Sequence, residues 1–169
     1  MSVLAIDPGN TDSAYALIGP DRRPIHFDKL PNDVLLHRLR LGDLRADKTG
    51  HGVRIDQIAI EMVASYGMAV GADVFETCVW IGRFYQTIAD HTGREPALVK
   101  RHPVKVHHCH AGNASDANIK QALIDRFASG VRNHGKGTKA APGWFYGFRS
   151  DVWQAYALAV YVADTWEAP

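Results

Sequence analysis

Three acidic residues, 54 and then 90 positions apart, carry the chemistry open to this chain. Asp7 follows the apolar run VLAI, Glu61 follows IDQIAI, and Asp151 opens the apolar helix pattern DVWQAYALAVYVA. An acid directly after a fully apolar strand sits at the strand's carboxyl end, at the rim of a sheet. If the two strands are neighbours in one parallel sheet, both acids project from one edge. A third acid on a helix packed there completes a carboxylate cluster. Such a cluster repels itself unless a divalent cation neutralises it, and hard oxygen donors favour Mg²⁺ or Mn²⁺. The pattern outlines a metal-dependent phosphoryl-transfer site. Plainer uses exist: Asp7 before Pro8-Gly9 suits a turn, and Asp151 is a favourable charge at any helix start. Glu61 has the weaker alternative, because an acid ending a buried strand is costly unless paired or metal-bound.

The elements that must position these acids can be read along the chain. Val3 to Ile6 is a buried strand without polar alternation, and Pro8-Gly9-Asn10 is turn chemistry. SAYALI and RPIHFDKL continue as a second and third strand, an antiparallel meander. Residues 33–45 form a short helix, ADKTGHGVR a loop, and Ile55 to Ile60 the next strand. Val74, Cys78, Ile81, Tyr85 and Ile88 recur at steps of three and four, an amphipathic helix over about 71–91. PALVKR is a further strand. Ser115 caps a helix bearing Ile119, Ala122, Leu123 and Phe127, and Ser150 caps the last helix. Residues 130–149 hold five of the fifteen glycines and four positive charges, which reads as a loop that stays mobile until it meets a ligand. The order βββ–α–β–α–β–α–α implies a three-layer α/β domain with a mixed sheet.

At 169 residues the chain is expected to form one domain over 1–169, and 46% hydrophobic with 22% charged residues are globular values. No run of about 18 apolar residues exists and MSVLAIDPGN lacks a basic leader segment, so a cytoplasmic protein without a membrane role is expected. Cys78 and Cys109 match no metal-site spacing and read as free thiols. The net charge of +1 conceals segregation: residues 94–149 carry ten basic and three acidic side chains, against nine and twelve in residues 1–93. A basic middle segment in a near-neutral chain suggests an anion-binding surface, with nucleic acid as the commonest partner. A solvated basic face is the alternative.

VLAIDPGNTDSAYALI, IAIEMVASYGMAVGADVFETCVWIGRF, PVKVHHCHAGNASDANIKQAL and SDVWQAYALAV stand in one order and spacing along nearly the whole chain. On these segments the chain resembles the RuvC-type Holliday junction resolvases of the ribonuclease H-like superfamily, especially their phage-borne relatives. The resemblance implies a homodimer acting in DNA recombination and repair, which binds a four-way DNA junction and nicks two opposing strands. It implies a ribonuclease H-like fold with a five-stranded mixed sheet. Asp7, Glu61 and Asp151 would bind two Mg²⁺ (or Mn²⁺) ions that activate water and stabilise the leaving oxygen, giving 5′-phosphate ends. Lys105 falls where the family places a basic residue near the scissile phosphate. No nucleotide cofactor is implied.

Two positions depart from that pattern. Gln154 stands where many members carry a second acid, so it is a neutral candidate ligand. Asn113-Ala114-Ser115-Asp116 replaces a lysine-bearing segment, and Lys120, a turn later, is the candidate substitute. Further DNA-binding candidates are Tyr66, after Glu61 in ASYGMAVG, where such resolvases insert a side chain between bases, and Arg132, Lys136, Lys139 and Arg149 in the basic loop. Trp144, Phe145, Tyr146 and Phe148 suit base stacking, a core lid or a dimer contact equally. His107-His108-Cys109-His110 is too tight for a zinc site; as a strand it would point His107 and Cys109 one way, His108 and His110 the other. Phe75, Val79 and Trp80 form a second apolar face on the 71–91 helix and are expected at a two-fold interface. The competing functions are a broader branched-DNA nuclease, a ribonuclease H-like enzyme and a catalytically silent DNA-binding module. An actin-like ATPase, suggested by IDPGNT, is disfavoured because GKGT is not a Walker loop: two residues separate Gly135 from Thr138.

Overall fold

The computed structural model describes residues 1–45, 52–65, 67 and 70–166. Most of the loop expected over ADKTGHGVR, and Tyr66 with its expected DNA contact, lie outside the described residues. The strands are β1 (Val3–Asp7), β2 (Asp12–Ile18), β3 (Pro24–Pro31), β4 (Gln57–Met62) and β5 (Ala97–Lys100). The helices are α1 (Asn32–Leu41), α2 (Ala72–Thr92), α3 (Arg101–Cys109), α4 (Asp116–Phe127) and α5 (Val152–Thr165). One mixed sheet runs β3-β2-β1-β4-β5, antiparallel across β3, β2 and β1 and parallel across β1, β4 and β5. The expected α/β architecture, a mixed five-stranded sheet flanked by helices, is present.

Period-two alternation divides each strand between two cores. Leu4, Ile6, Tyr15, Leu17, Ile58 and Ile60 face α1 and α2. Val3, Ala5, Ala14, Ala16 and Ala59 face α5, with α3 and α4 outside it. The alanines are small because α5 lies close across the strands; its own Ala155, Ala157 and Ala159 are fully buried. A helix this apolar on all sides is one that is covered on all sides.

Four expectations change. The buried row of α2 is Thr77, Ile81, Phe84 and Ile88; Ile81 and Ile88 are as expected, while Val74, Cys78 and Tyr85 flank the row half-buried. Residues 101–109 are helical, so the strand alternation of the His-Cys-His tract does not apply. Pro103 stands in the first turn, where its missing N–H is no loss, and His107 and His108 both turn inward. Ser150 does not cap α5: its φ of 43° is left-handed, and Asp151 takes the cap position without a side-chain cap bond. Residues 130–149 are folded onto the core. A Cβ on Gly143 would lie 2.2 Å from the Gly135 carbonyl oxygen, and the Gly143 and Phe145 amides donate to Lys136 O and Gly135 O at 2.9 and 3.0 Å. The glycines here serve close backbone approach. Phe145 and Phe148 are fully buried and pack on Trp153 and Tyr156. The segment is therefore a core lid.

The far end of α5 is tied by Asp164, which accepts from Arg22 (3.1 Å), Arg126 (2.5 and 3.1 Å) and His107 (2.9 Å). Burial works against this carboxylate, but hydrogen bonds from Arg126 and His107 hold it down at about 2. His108 donates to the Ala157 carbonyl at 2.9 Å, and burial pushes its imidazole down to about 4. Both folded-state values lie below the unfolded ones, so both groups stabilise at neutral pH and cease to do so on acidification. For His108 the loss runs from roughly pH 6.5 down to 4, and for Asp164 from roughly 4 down to 2. Urea unfolding at stepped pH is expected to show both losses, with His108→Gln removing the upper one. A variant with the wild-type profile between pH 6.5 and 4 would contradict this assignment.

Candidate active site

Alternation that sends Val3 and Ala5 toward α5 sends Asp7 the same way, and Ala59 carries Glu61 with it. The two acids stand one step beyond the paired Ile6 and Ile60, side by side at the carboxyl ends of β1 and β4. Helix α5 begins at this edge, bringing in Asp151. The turn after Asp7 is locked from behind by a buried relay. The Gly9 amide donates to Ser13 Oγ at 3.2 Å, Ser13 Oγ to Asn32 Oδ1 at 2.5 Å, and Asn32 Nδ2 to the Gly9 carbonyl at 2.9 Å. A Cβ on Gly9 would sit 2.4 Å from the Asp12 carbonyl oxygen, so only glycine fits.

Three residues that sequence reasoning missed share the edge. Arg101 opens α3 directly after β5, whose Val99 pairs with Glu61. Its Nη1 reaches Glu61 Oε1 and Oε2 at 2.9 and 3.1 Å, and its Nη2 reaches Asp116 Oδ1 at 2.6 Å. Lys29 of β3, paired with Ala14, donates to Asp151 Oδ2 at 2.6 Å. The signal for Lys29 was weak but present: in PIHFDKLP it shares strand parity with Phe27, which packs on the α5 side. Asp116 carried no such signal beyond its place in the first turn of α4.

The electrostatics follow from burial and crowding. Burial, then the neighbouring Glu61 carboxylate, hold the Asp7 carboxyl well above the usual range; Asp151 and Asp116 add to this and Arg101 relieves it. Burial also raises Glu61, against the pull of Arg101 and Lys105. The hydrogen bond to Asp151 strengthens the Lys29 charge. The two carboxylates are buried and crowded together, so each disfavours the ionised form of the other. The donor set fits a hard divalent ion: three carboxylates and the Gln154 amide oxygen, on two strand ends and one helix. Among the described residues, no three His, Cys, Asp or Glu side chains converge closely enough to hold an ion as they stand. Glu61 lies on Arg101 and Asp151 on Lys29.

Beside the acids opens a cleft of about 410 Å³, lined by Asp116, Lys120, Lys136, Arg149, Asp151 and Gln154, with Phe148 and Trp153 behind them. Gln154 is buried one turn after Asp151. Lys120 Nζ lies 5.4 Å above the Trp153 ring, and Arg149 donates to Asp28 at 2.9 Å. Lys105, one turn after Arg101 on α3, faces an adjoining hollow of about 230 Å³. Lys105, Lys120, Lys136 and Arg149 are thus gathered around the acids. Arg132 and Lys139, the other candidates in this segment, are exposed and do not line this cleft.

No protein-family model matches the chain, and no curated protein matches its sequence. Among solved structures the chain is similar to Thermus thermophilus RuvC, at 18% identity and a TM-score of 0.64 over 97% of this chain and 96% of that one. It is also similar to T. thermophilus RuvC in complex with a Holliday junction substrate, at 18% identity and a TM-score of 0.61 over 96% and 93%. The chain therefore has the fold of RuvC over nearly its whole length. No helix among the described residues is long and apolar enough to cross a membrane.

Proposed function

We propose that the chain is a divalent-metal-dependent endonuclease that resolves four-way DNA junctions by paired nicking. One observation carries this: Asp7, Glu61 and Asp151 stand along one sheet edge beside a basic cleft, in a fold shared with RuvC along 97% of the chain. Asp7, Glu61 and Asp151, with Gln154, would hold two Mg²⁺ or Mn²⁺ ions. Bound there, the ions would supply Lewis-acid activation of water and stabilisation of the leaving oxygen. The chain's own side chains do the remainder. Lys120, Lys136 and Arg149 bind backbone phosphates along the cleft, Lys105 approaches the scissile phosphate from α3, and Phe148 with Trp153 forms a rigid wall that orients the strand. Gln154 brings no charge, so the site binds metal more weakly than an all-carboxylate one. A synthetic four-way junction beside matched duplex, flap and RNA–DNA hybrid tests the reading. Symmetric nicks in the junction alone support it, and equal cutting of all four substrates assigns a general nuclease instead.

The rival reading, a silent DNA-binding module, draws on Glu61 and Asp151 being held by Arg101 and Lys29. Binding without nicking in Mg²⁺ or Mn²⁺ would favour it.

Salt dependence separates the cleft from the rest of the basic segment. Lys136→Ala is expected to flatten the log–log salt slope of junction binding by about 0.9 per bound protomer under counterion release. Lys139→Ala, outside the cleft, is expected to leave it unchanged. Fluorescence anisotropy across a KCl series checks both, and equal slopes for Lys136→Ala and wild type would move the DNA track elsewhere.

Paired nicking requires two protomers. Phe75 and Val79 project from α2 at 64% and 61% exposure, on the face of the sheet opposite the aromatic lid, so that lid does not cover them. Trp80 beside them packs on Phe84 and under Arg83. A two-fold dimer burying Phe75 and Val79 is expected, and Phe75→Glu should dissociate it in light scattering. A wild-type monomer at tens of micromolar would leave a single-strand nickase.

A further inference from the structure

With Lys29, Arg101 is one of two cations on the acid edge among the described residues. Its guanidinium grips both oxygens of Glu61, at 2.9 and 3.1 Å, with one nitrogen and holds Asp116 at 2.6 Å with another. The pair is enclosed: the Arg101 side chain is 26% exposed and that of Glu61 14%. Both Glu61 oxygens face Arg101, so a divalent cation entering this edge would compete with the guanidinium for them. Arg101 also offsets the repulsion of Asp7 and Glu61, whose strands fix them side by side whether or not an ion is present. Asp116, more exposed at 65%, anchors the other arm of the fork at the cleft rim.

We infer that Arg101 is a resident counter-ion: it holds Glu61 in the ion-free protein and gives up that carboxylate when a divalent cation enters. This rests on the metal-dependent reading above and extends it to how the site is regulated. Arg101 is a positioning residue that keeps the ion-free edge folded and sets the metal concentration at which the site loads. Asp116 retains the displaced guanidinium, so the exchange needs no movement of α3. Lysine cannot reproduce the fork, because a single ammonium does not span Glu61 and Asp116 together.

The test is calorimetric titration of Mn²⁺ into DNA-free protein at pH 8, for wild type, Arg101→Ala and Arg101→Lys, with thermal unfolding of each in chelator. Arg101→Ala is expected to bind Mn²⁺ roughly tenfold more tightly, the scale of one charge-assisted hydrogen bond that no longer competes for Glu61, and to unfold at lower temperature in chelator. Arg101→Lys should fall between it and wild type, and keeps the test open if the alanine variant does not fold. Either variant binding Mn²⁺ no more tightly than wild type overturns the inference while leaving the metal reading intact. Wild type that binds no Mn²⁺ overturns the metal reading, and the inference with it.

Discussion

Asp7→Asn, and separately Glu61→Gln, should each lower junction cleavage at least about a hundredfold, some 3 kcal/mol of transition-state stabilisation, with junction affinity retained. Each change keeps the shape of the side chain and removes one negative charge from the edge where α5 meets β1 and β4. The DNA contacts proposed for Lys120, Lys136 and Arg149 would be untouched, so binding and cleavage should separate. Stability moves the other way. Asp7 is raised by burial and by Glu61, so ionising it costs folding free energy that grows with pH. In chelator at neutral pH, Asp7→Asn should unfold no lower than wild type. Quenched-flow or gel assays of a labelled junction, with thermal melts alongside, check both halves. A variant retaining more than about a tenth of the wild-type rate would contradict a two-metal site.

Phe148→Ala is expected to destabilise the fold by about 3–5 kcal/mol, the cost of emptying an aromatic-sized cavity, or roughly 10 °C in melting temperature for a chain of this size. Phe148 is fully buried and meets Phe27, Phe145, Trp153 and Tyr156 edge-on. It also precedes Arg149 and backs the cleft. Below its melting temperature the variant should bind junction DNA more weakly as Arg149 and Lys136 lose their support. A loss under 1 kcal/mol would show that residues 130–149 are not part of the core.

Asp7 and Glu61 were legible because a strand announces itself in a short window: three or four apolar residues, then an acid where the sheet ends. Ser115 was legible for the same reason, since its cap to the Asn118 amide spans three residues. The helix at 101–109 was not, because HHCH mimics strand alternation and the signal against it, Pro103 in a first turn, depends on where the helix begins. The basic segment 130–149 read as a loose loop because its glycines advertise turns, whereas what they permit is backbone packed against backbone. Lys29, Arg101 and Asp116 were the largest omission. Lys29 and Arg101 act through β3 and β5, and Asp116 through α4, elements that stand beside the acids only once the sheet has taken the order β3-β2-β1-β4-β5.

Local periodicity and turn chemistry thus specified the elements and the three acids, since both arise from interactions within a few residues along the chain. The counter-ions on those acids, and the folding of the aromatic lid against α5, depend on strand order and helix docking. Those are set by burial between segments distant in sequence, with Arg101 forty residues from Glu61 and Lys29 one hundred and twenty-two from Asp151, separations that leave no periodic trace in any local window.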